Sequence, residues 1–374
     1  MEAKMSIPKC EICGNSMRKN GRTKAGTQRW RCGKCGYSTT RKIDTKVRRF
    51  KLFLTWLLSK KTQEEMGYSR SKFKRLTHEF WNIWPIAFQT GEFFETVYLD
   101  GIWIKRNCVV LIACSRQNVI AWHLAKSENS AAWAALMSRI PAPTMLVSDG
   151  APGLAKAARQ VWPNTKIQRC VVHIFWDIKS CTTMNPKLEA GKELLEIAKK
   201  LIKVKDTEQA SEWISKYVNW TSKWENFLGE HTFNEGKKVY VHDRLRKARR
   251  TLNKLVQSGQ MFTFIDLQNE TGKNWDSTNN VIEGRVNAQL RQVLRNHRGL
   301  TAIKRIKVIF WWCYLDSESA LSPAETLRVM PKDDEVEGLF AQASKERQRE
   351  KSDTKNFGIG IDWNEFHMPT EFRQ

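Results

Sequence analysis

Three acidic residues of the 374-residue chain stand in settings that suit metal-dependent chemistry. Asp100 follows the apolar segment TVYL, Asp149 follows TMLVS, and a glycine comes directly after each of them. Runs of β-branched and apolar residues predict buried strands, so we expect each carboxylate at the end of a strand. Carboxylates that converge there repel each other, and two Mg2+ or Mn2+ ions with oxygen ligands would relieve that repulsion.

The third acidic residue is Glu283, which lies in a segment with a helical pattern of apolar side chains. The apolar stripe consists of Ile282, Val286, Leu290, Val293 and Leu294. A separate polar stripe consists of Asn280, Glu283, Asn287 and Arg291. We expect Glu283 to join the two aspartates as a third metal ligand. Such a site supports phosphoryl transfer, in which one ion activates the attacking oxygen and the other stabilises the leaving oxygen.

Each carboxylate also has an ordinary structural explanation, which the sequence leaves open. Asp100 and its glycine stand between apolar runs, as in a two-residue hairpin turn. Asp149 precedes a helical pattern and could cap that helix. Asn280 and Glu283 have the spacing of a capping box, in which the two residues satisfy the first backbone N–H groups of the helix.

Two Cys-x2-Cys pairs lie near the N-terminus, with eighteen residues between them. The pairs are Cys10 with Cys13 and Cys32 with Cys35. This spacing predicts a zinc ribbon, in which four thiolates bind one structural Zn2+ ion, although four cysteines could also share a small core. Basic residues surround the pairs, which indicates contact with phosphates. They are Arg18, Lys19, Arg22, Lys24, Arg29, Arg31, Lys34, Arg41 and Lys42.

Residues 46–81 have the pattern of three short helices, with Gly67 between the second and the third. Thr62 and Ser69 are candidate N-caps of the second and third helices. The pattern is similar to a helix-turn-helix, but any small helical bundle would look alike. In a DNA-binding module, the exposed face of the recognition helix would carry Arg70, Lys72, Lys74 and Arg75.

From residue 95 the apolar pattern changes to that of strands, in the order β-β-β-α-β-α followed by a further strand. Three strands in a meander and a crossover helix to further strands are the arrangement of an RNase H-like core. The predicted fold class is therefore α/β, with an all-α insertion inside that core. The predicted domains are a zinc ribbon (1–44), a helix-turn-helix-like module (45–90), the first part of the core (91–174), the insertion (175–275), the core helix with Glu283 (276–320) and a peripheral tail (321–374).

The composition restricts the partners and the compartment. The formal net charge of +24 and the pI of about 9.8 indicate a polyanionic partner, namely DNA, RNA or an anionic membrane surface. We find neither an apolar run of membrane-spanning length nor a signal peptide. Nine cysteines, of which four are paired at short spacing, fit a metal site in a reducing compartment. We therefore expect a cytoplasmic protein, associated with the nucleoid, that does not bind membranes.

Two further features lie near the predicted carboxylates. Cys170 and His173 have the spacing of half a zinc site, but no second half is evident nearby, so we expect them to brace the strand next to Asp149. Trp275 precedes the segment of Glu283 and could stack on an unpaired base.

Three blocks of the sequence resemble the Mutator-like transposases of bacterial insertion sequences. SDGAPGLAKAARQVWPNTKIQRCVVHIFWDIK (148–179) resembles their block with D-G and C-x2-H, and TNNVIEGRVNAQLRQVLRNHRG (278–299) resembles their block with N-x2-E and L-R. YLDGIWIK (98–105) is similar to their first Asp segment. The resemblance implies an RNase H-like DDE transposase in which Asp100, Asp149 and Glu283 bind Mg2+. It also places Cys170 and His173 at the family's C-x2-H positions.

The reaction implied by the resemblance is strand cleavage at the ends of the element, followed by strand transfer. The partner would be double-stranded DNA, both the terminal inverted repeats and the target, bound by a homodimer or a larger oligomer. Arg291, Arg295 and Arg298 would contact phosphates near the cut. Two other functions stay open, a DNA-binding regulator without catalysis and a nuclease of the same fold.

Overall fold

The computed structural model of the chain describes residues 7–10, 12–40, 45–339, 341, 342 and 345. The chain divides into two compact units, with the boundary between Phe53 and Leu54. The strands are β1 (Met17–Arg22), β2 (Gln28–Cys32), β3 (Ser38–Thr40), β4 (Thr96–Ile104), β5 (Cys108–Cys114), β6 (Val119–Ala125), β7 (Met145–Ser148), β8 (Lys166–Arg169), β9 (His231–Asn234) and β10 (Lys237–Tyr240). The α-helices are α1 (Lys46–Leu58), α2 (Arg70–Thr77), α3 (Ser130–Met137), α4 (Pro152–Val161), α5 (Val171–Thr182), α6 (Glu189–Leu201), α7 (Thr207–Lys223), α8 (Glu225–Gly229), α9 (Asp243–Gln257), α10 (Thr263–Thr271), α11 (Ala288–Asn296), α12 (Ala302–Asp316) and α13 (Pro323–Val329).

The first unit contains a three-stranded antiparallel sheet in the order β1-β2-β3. Its small core combines Cys10 and Cys32 with Met17 and Trp30, each of which is buried. Seven of the predicted phosphate-contacting residues of the ribbon are exposed, namely Arg18, Lys19, Arg22, Lys24, Arg29, Arg31 and Lys34. The other two, Arg41 and Lys42, lie outside the described residues. Arg18 pairs directly with Arg31 across β1 and β2, an arrangement of like charges that a bound anion would stabilise.

The segment predicted as three helices forms α1, a hydrogen-bonded turn and α2, followed by a 3-10 turn (His78–Asn82). The second predicted helix is wrong, because residues 63–67 form a turn. Thr62 still makes the reciprocal bonds of a helix start, since its Oγ1 accepts from the N–H of Glu65 and its own N–H donates to that carboxylate. Gly67 has a left-handed φ of 79°, and a right-handed helix cannot continue through such a residue. The segment therefore ends after one turn.

The second unit is built around a five-stranded sheet in the order β6-β5-β4-β7-β8. The meander β4-β5-β6 is antiparallel, and β7 and β8 run parallel to β4. Every residue of β5 and of β7 is buried, as expected for strands that are covered on both faces. The helices α3 and α4 connect β6 to β7 and β7 to β8, so the predicted order of strands and helices is confirmed as a mixed α/β fold.

The segment predicted as an all-α insertion is helical except for one hairpin. The helices α6 to α10 lie here, and β9 and β10 pair between α8 and α9. The hairpin turns at Glu235 and Gly236, which have φ values of 49° and 74°. Its residues are almost all exposed, so it lacks the apolar run by which a buried strand is predicted.

The predicted peripheral tail is described only in part. It begins with α13, which the capping box of Ser322 and Glu325 starts, and residues 333–339 are also helical. Residues 346–374, which include most of its charged run, lie outside the described residues. In the part of the chain that the structure covers, no helix is both long enough and apolar enough to cross a bilayer.

Candidate active site

Asp100 and Asp149 lie side by side at one edge of the large sheet. The parallel pairing of β4 and β7 aligns Tyr98 with Val147, and the same offset aligns Asp100 with Asp149. Neighbouring strands are about 4.8 Å apart, so the two carboxylates start from adjacent backbone positions. The register of two buried strands therefore brings together the residues that the sequence predicts as a pair.

The prediction that Asp100 ends its strand is wrong, and so is the alternative that it forms a hairpin turn. β4 continues through Asp100 to Ile104, and its reversal falls at Lys105 and Arg106, whose φ values are 49° and 63°. The meander partner β5 stays paired with Asp100, whereas β7 ends at Ser148. The backbone of β4 from Asp100 onward therefore has a strand partner on the β5 side only.

Asp149 follows β7 as predicted and precedes a tight turn into α4. Its Oδ1 accepts a hydrogen bond of 2.9 Å from the N–H of Ala151, and no side chain caps α4. Gly150 adopts a φ of 86°, and a Cβ at that position would lie 2.0 Å from Cζ of Arg169. Only a residue without a side chain allows this turn, which brings the Arg169 guanidinium close to Asp149.

Glu283 lies in a π-helix, Val281–Asn287, that continues directly into α11. The wider turn is visible in the hydrogen bond from the N–H of Ala288 to the carbonyl of Glu283, five residues earlier. The capping-box alternative does not hold, because Asn280 has helical dihedral angles and its side chain makes no cap bond. Single π-turns inside helices are frequent at functional sites.

Asn287, at the end of the π-helix, is fully buried and contacts the first aspartate. Its Nδ2 donates a hydrogen bond of 2.5 Å to Oδ2 of Asp100, whose Oδ1 accepts from the N–H of Gly101 at 2.7 Å. The two bonds fix the orientation of the Asp100 carboxylate. They also connect the Glu283 segment to β4.

Cys170 and His173, at the start of α5, connect the end of β7 to the Glu283 segment. The N–H of Cys170 donates to the carbonyl of Ser148 at 2.9 Å, and its Sγ accepts from the N–H of Asn279 at 3.2 Å. Nδ1 of His173 lies 3.5 Å from Oε1 of Glu283. The sequence shows no further donor near Cys170 and His173, but the fold adds Glu283, and one donor atom from each of the three lies within 4.8 Å of the others.

The electrostatics of the site indicate an excess of negative charge. Burial, together with the charges of Asp149, Glu283 and Glu128, raises the pKa of Asp100 to about 6. Burial and the charge of Asp149 also raise the pKa of Glu128. On the other side, hydrogen bonding with Cys170 and the charges of Glu283 and Asp149 raise the pKa of His173 to about 9. A cation is therefore favoured where the carboxylates converge.

Buried polar atoms without a protein partner also cluster here. Among the described residues they include Oδ1 of Asn287 and Oδ1 of Asn279, and beside them Oε1 of Glu283 and Nδ1 of His173 lie 3.5 Å from each other. Such atoms are costly unless another group binds them. Asp100, Asp149 and Glu283 do not appear among the sets of donors that lie within 4.8 Å of one another, so one small ion does not bridge all three in this arrangement.

Three residues of the site have no sequence signal of their own. Glu128 precedes α3, and a Cβ at Gly101 would lie 2.6 Å from its Oε1. Arg169, at the end of β8, donates from Nη2 to Asp177 at 3.0 Å and lies against Gly150. Asn279 donates from Nδ2 to the carbonyl of Leu99 at 3.5 Å. The fold alone brings these side chains to the aspartates, and the glycine after each aspartate is the only hint of close approach.

The other predicted site residues divide into exposed and buried positions. The predicted DNA-contacting residues of α2 and of the α11 region are all exposed, namely Arg70, Lys72, Lys74, Arg75, Arg291, Arg295 and Arg298. Trp275, in contrast, is 9% exposed, and its Nε1 donates to Oγ1 of Thr271. Trp275 is therefore not available to stack on a base.

The four cysteines of the first unit form a second metal-binding group. The Sγ atoms of Cys10 and Cys35 lie 3.5 Å apart, and those of Cys13 and Cys32 lie 3.4 Å apart. Four thiolates bound at about 2.3 Å around a tetrahedral Zn2+ ion would be separated by a similar distance, whereas a disulfide would be far shorter. A hydrogen bond from the side chain of Asn15 lowers the pKa of Cys13 to about 6, which favours the metal-binding thiolate. The group fits structural zinc.

Comparison with known proteins identifies similar sequences over the region that contains this site. Residues 91–300, more than half of the chain, match the profile of the family described as "Transposase, Mutator family". The chain is 22% identical over 152 residues to the transposase for insertion sequence element IS905 of Lactococcus lactis, covering 36% of this chain and 38% of the relative. It is 32% identical over 126 residues to the transposase for insertion sequence element IS6120 of Mycolicibacterium smegmatis, covering 29% of this chain and 39% of the relative. The chain thus spans less than half the length of these relatives.

Proposed function

The chain belongs to the Mutator family of transposases, which confirms the resemblance of its three sequence blocks, and we propose that it is a DDE-type transposase. The observation that carries the proposal is the parallel register of β4 and β7, which brings Asp149, just after β7, beside Asp100, with Glu283 electrostatically coupled to Asp100. We propose these three residues as the catalytic acids. A regulator without catalysis has no need to bury several like charges together.

The proposed fold of the catalytic region is RNase H-like. It is supported by the sheet order β6-β5-β4-β7-β8, with an antiparallel meander followed by two parallel strands. In this sheet β7 ends beside the middle of β4, so Asp149, which directly follows β7, comes next to Asp100 within β4. The helices α5 to α10 lie in the chain between β8 and the π-helix, as expected for an insertion in this core.

Asp100, Asp149 and Glu283 would hold two Mg2+ ions, or Mn2+ ions, at this edge. When bound, such ions stabilise negative charge on the scissile phosphate and lower the pKa of the attacking hydroxyl. The surrounding protein residues orient and balance the acids. Asn287 and Gly101 fix the Asp100 carboxylate, Arg169 places a buried positive charge beside Asp149, and the protonated ring of His173 faces Oε1 of Glu283.

The proposed reaction has two steps at the same acids. Hydrolysis of a phosphodiester at the end of the element frees a 3′-hydroxyl group. The oxygen of that hydroxyl then attacks a phosphorus atom in target DNA, and the broken target strand leaves with a free 3′-hydroxyl. The exposed side chains of Arg291, Arg295 and Arg298 would contact the phosphates near the cut.

The proposed partner is double-stranded DNA, both the terminal inverted repeats and the target. The exposed basic residues of the zinc ribbon support phosphate contact, as does the net charge of +24. We also propose that α1 and α2 act as a helix-turn-helix-like module whose basic face is that of Arg70, Lys72, Lys74 and Arg75. A homodimer or a larger oligomer would bring the two ends of the element together.

Substitution of Asp149 tests the proposed function. With a supercoiled plasmid that carries the element and its flanking DNA, the protein should cut and join strands only when Mg2+ or Mn2+ is present. Asp149→Asn should retain plasmid binding and lose cleavage by at least about 100-fold, because it removes a charged ligand from the reacting centre. The matched control is Asp266→Asn, which changes an exposed aspartate on α10 and should cleave normally.

Three outcomes of this assay are informative. Retained cleavage by Asp149→Asn would remove Asp149 from the mechanism. Cleavage without joined products would indicate a nuclease of the same fold. DNA binding without any metal-dependent cleavage would indicate a regulator.

A further inference from the structure

The exposed face of α5 combines a half-exposed aromatic ring with basic side chains next to the candidate active site. We propose that Trp176 on this face stacks against an unpaired nucleobase of the DNA strand that is held at Asp100, Asp149 and Glu283. Lys179 and Lys247 would contact the neighbouring phosphates. The inference rests on the proposed function and adds a binding site for single-stranded nucleotides to it.

Trp176 differs from most aromatic residues of the unit in its exposure. It is 52% exposed, whereas Trp133, Trp162, Trp213 and Trp220 are each 2% exposed. Nζ of Lys179 lies 4.1 Å from the centre of the Trp176 ring, close enough for a cation–π contact that limits the motion of both side chains. Lys179 and Phe175 cover part of the ring, and the half of Trp176 that stays in water is available to a ligand with a flat face.

The ring lies close to the acidic residues. Trp176 follows His173 by three positions on α5, so the two side chains share one side of the helix about 4.5 Å apart along its axis. Nδ1 of His173 is 3.5 Å from Oε1 of Glu283. The next residue, Asp177, binds Arg169, whose guanidinium lies against Gly150 and so beside Asp149. Trp176 therefore stands between two residues of α5, His173 and Asp177, that both connect to the acidic site.

Helix α9 adds positive charge along the same surface. It contacts α5 and runs in the opposite direction, since Arg244 at its start donates to the carbonyl of Ser180 near the end of α5. Lys247, one turn further along α9, is exposed and acts electrostatically on Asp177. Lys247 therefore lies near Asp177, the residue next to Trp176 on α5. The charge favours a nucleic acid over a second protein as the occupant.

The chemistry of the surface favours an unpaired base over a duplex. Inside a duplex each base face is covered by its neighbours, so a protein ring can stack only on a base that has left the helix or lies at a strand end. Stacking on an aromatic side chain is tolerant of sequence and stabilises binding by about 1–3 kcal/mol per base. Strand cleavage and transfer create such unpaired ends at the reacting phosphates.

The test uses the full-length protein, EDTA to prevent cleavage, and a fluorescent oligothymidylate of about 15 nucleotides as the probe. In a fluorescence anisotropy titration, Trp176→Ala should weaken binding by about 5- to 150-fold. Trp176→Phe should restore most of the affinity, because it keeps an aromatic face. Lys179→Ala should reduce the dependence of log K on log salt by about 0.7. A 2-aminopurine in the oligonucleotide should be quenched by the wild type and not by Trp176→Ala.

The matched control is Phe233→Ala, which removes another exposed aromatic ring, on the hairpin β9-β10, and should leave the affinity unchanged. Thermal unfolding of Trp176→Ala should match that of the wild type, since the ring is exposed. Wild-type affinity in Trp176→Ala, equal losses in Trp176→Ala and Trp176→Phe, or absence of oligothymidylate binding in the wild type would each overturn the inference. The assay requires no catalysis, so these outcomes are distinct from the failure of plasmid cleavage that would refute the proposed function.

Discussion

The excess negative charge at the candidate active site predicts that one of the proposed catalytic acids destabilises the metal-free protein. Asp100 is the clearest case, because its carboxyl is buried and faces the charges of Asp149, Glu283 and Glu128. We expect Asp100→Asn to stabilise the fold at neutral pH in the absence of divalent ions. The side-chain amide that this substitution introduces can still form a hydrogen bond. Oδ1 of Asn287 lacks a protein partner, and if the Asn287 amide rotates by 180°, this oxygen can accept a hydrogen bond from the introduced amide.

The sign and the size of the expected change in unfolding free energy follow from the pKa of Asp100. Its value of about 6 in the folded protein lies above the ordinary value of 3.8, so the folded state binds a proton more tightly than the unfolded state does. Between those two pH values the stability of the wild type falls as the pH rises, and above pH 6 the full cost remains. That cost is at most about 3 kcal/mol, since each pH unit between the two values corresponds to about 1.4 kcal/mol. Asp100→Asn should therefore gain up to about 3 kcal/mol at pH 7 and nothing below pH 4.

Urea unfolding in EDTA, followed by tryptophan fluorescence at several pH values, measures this difference. Glu208→Gln, which removes an exposed carboxylate on α7, is the control and should change the free energy of unfolding by less than about 0.5 kcal/mol. Addition of Mg2+ should stabilise the wild type more than Asp100→Asn and so reduce the difference between their free energies of unfolding. A variant less stable than the wild type at pH 7, or a difference that is the same at all pH values, would refute the idea that crowded carboxylates strain this site.

Two further predictions concern single residues whose surroundings the structure defines. Cys32→Ser should release zinc and unfold the small core around Met17 and Trp30. A zinc assay and near-ultraviolet circular dichroism would detect these two changes. Full zinc content in this variant would contradict the four-cysteine zinc site. Gly101→Ala should destabilise the second unit by about 1–3 kcal/mol, because the added methyl group would lie 2.9 Å from Cγ2 of the buried Val109 and 2.6 Å from Oε1 of Glu128. An unchanged midpoint of urea unfolding would show that these contacts relax freely.

The pairing of the two aspartates could be predicted from the sequence because both strands are buried. A strand that is apolar on both faces has few alternatives to a central place in a sheet, and its register then decides where the next residue lies. The exact end of the strand could not be predicted in the same way. The pattern at Asp100 and Gly101 breaks the apolar run of β4, but pairing with β5 carries the strand past this break.

The residues that the sequence did not reveal are those that reach the site through tertiary contacts. Glu128 and Arg169 each stand in an ordinary local context. Only the position of α3 beside the sheet and the pairing of β8 with β7 bring them to the aspartates. The sequence analysis did not predict the hairpin β9-β10, for a related reason. It buries almost nothing, so its pairing depends on its turn residues and not on an apolar period.

The π-helix resolves a conflict that is visible in the sequence around Glu283. Its buried apolar row repeats every four residues, and so does a polar row beside it; the rows are Ile282, Val286, Leu290 and Leu294, and Glu283, Asn287, Arg291 and Arg295. In a regular α-helix a spacing of four drifts by about 40° per step, which over three steps would carry a row about 120° around the helix. A wider turn slows that drift, so Val281–Asn287 keeps Ile282 and Val286 buried while Glu283 and Asn287 stay on the side of Asp100. The π-turn thus lies where Asn287 contacts Asp100 while Ile282 and Val286 stay buried, which ties the irregular turn to the geometry of the site.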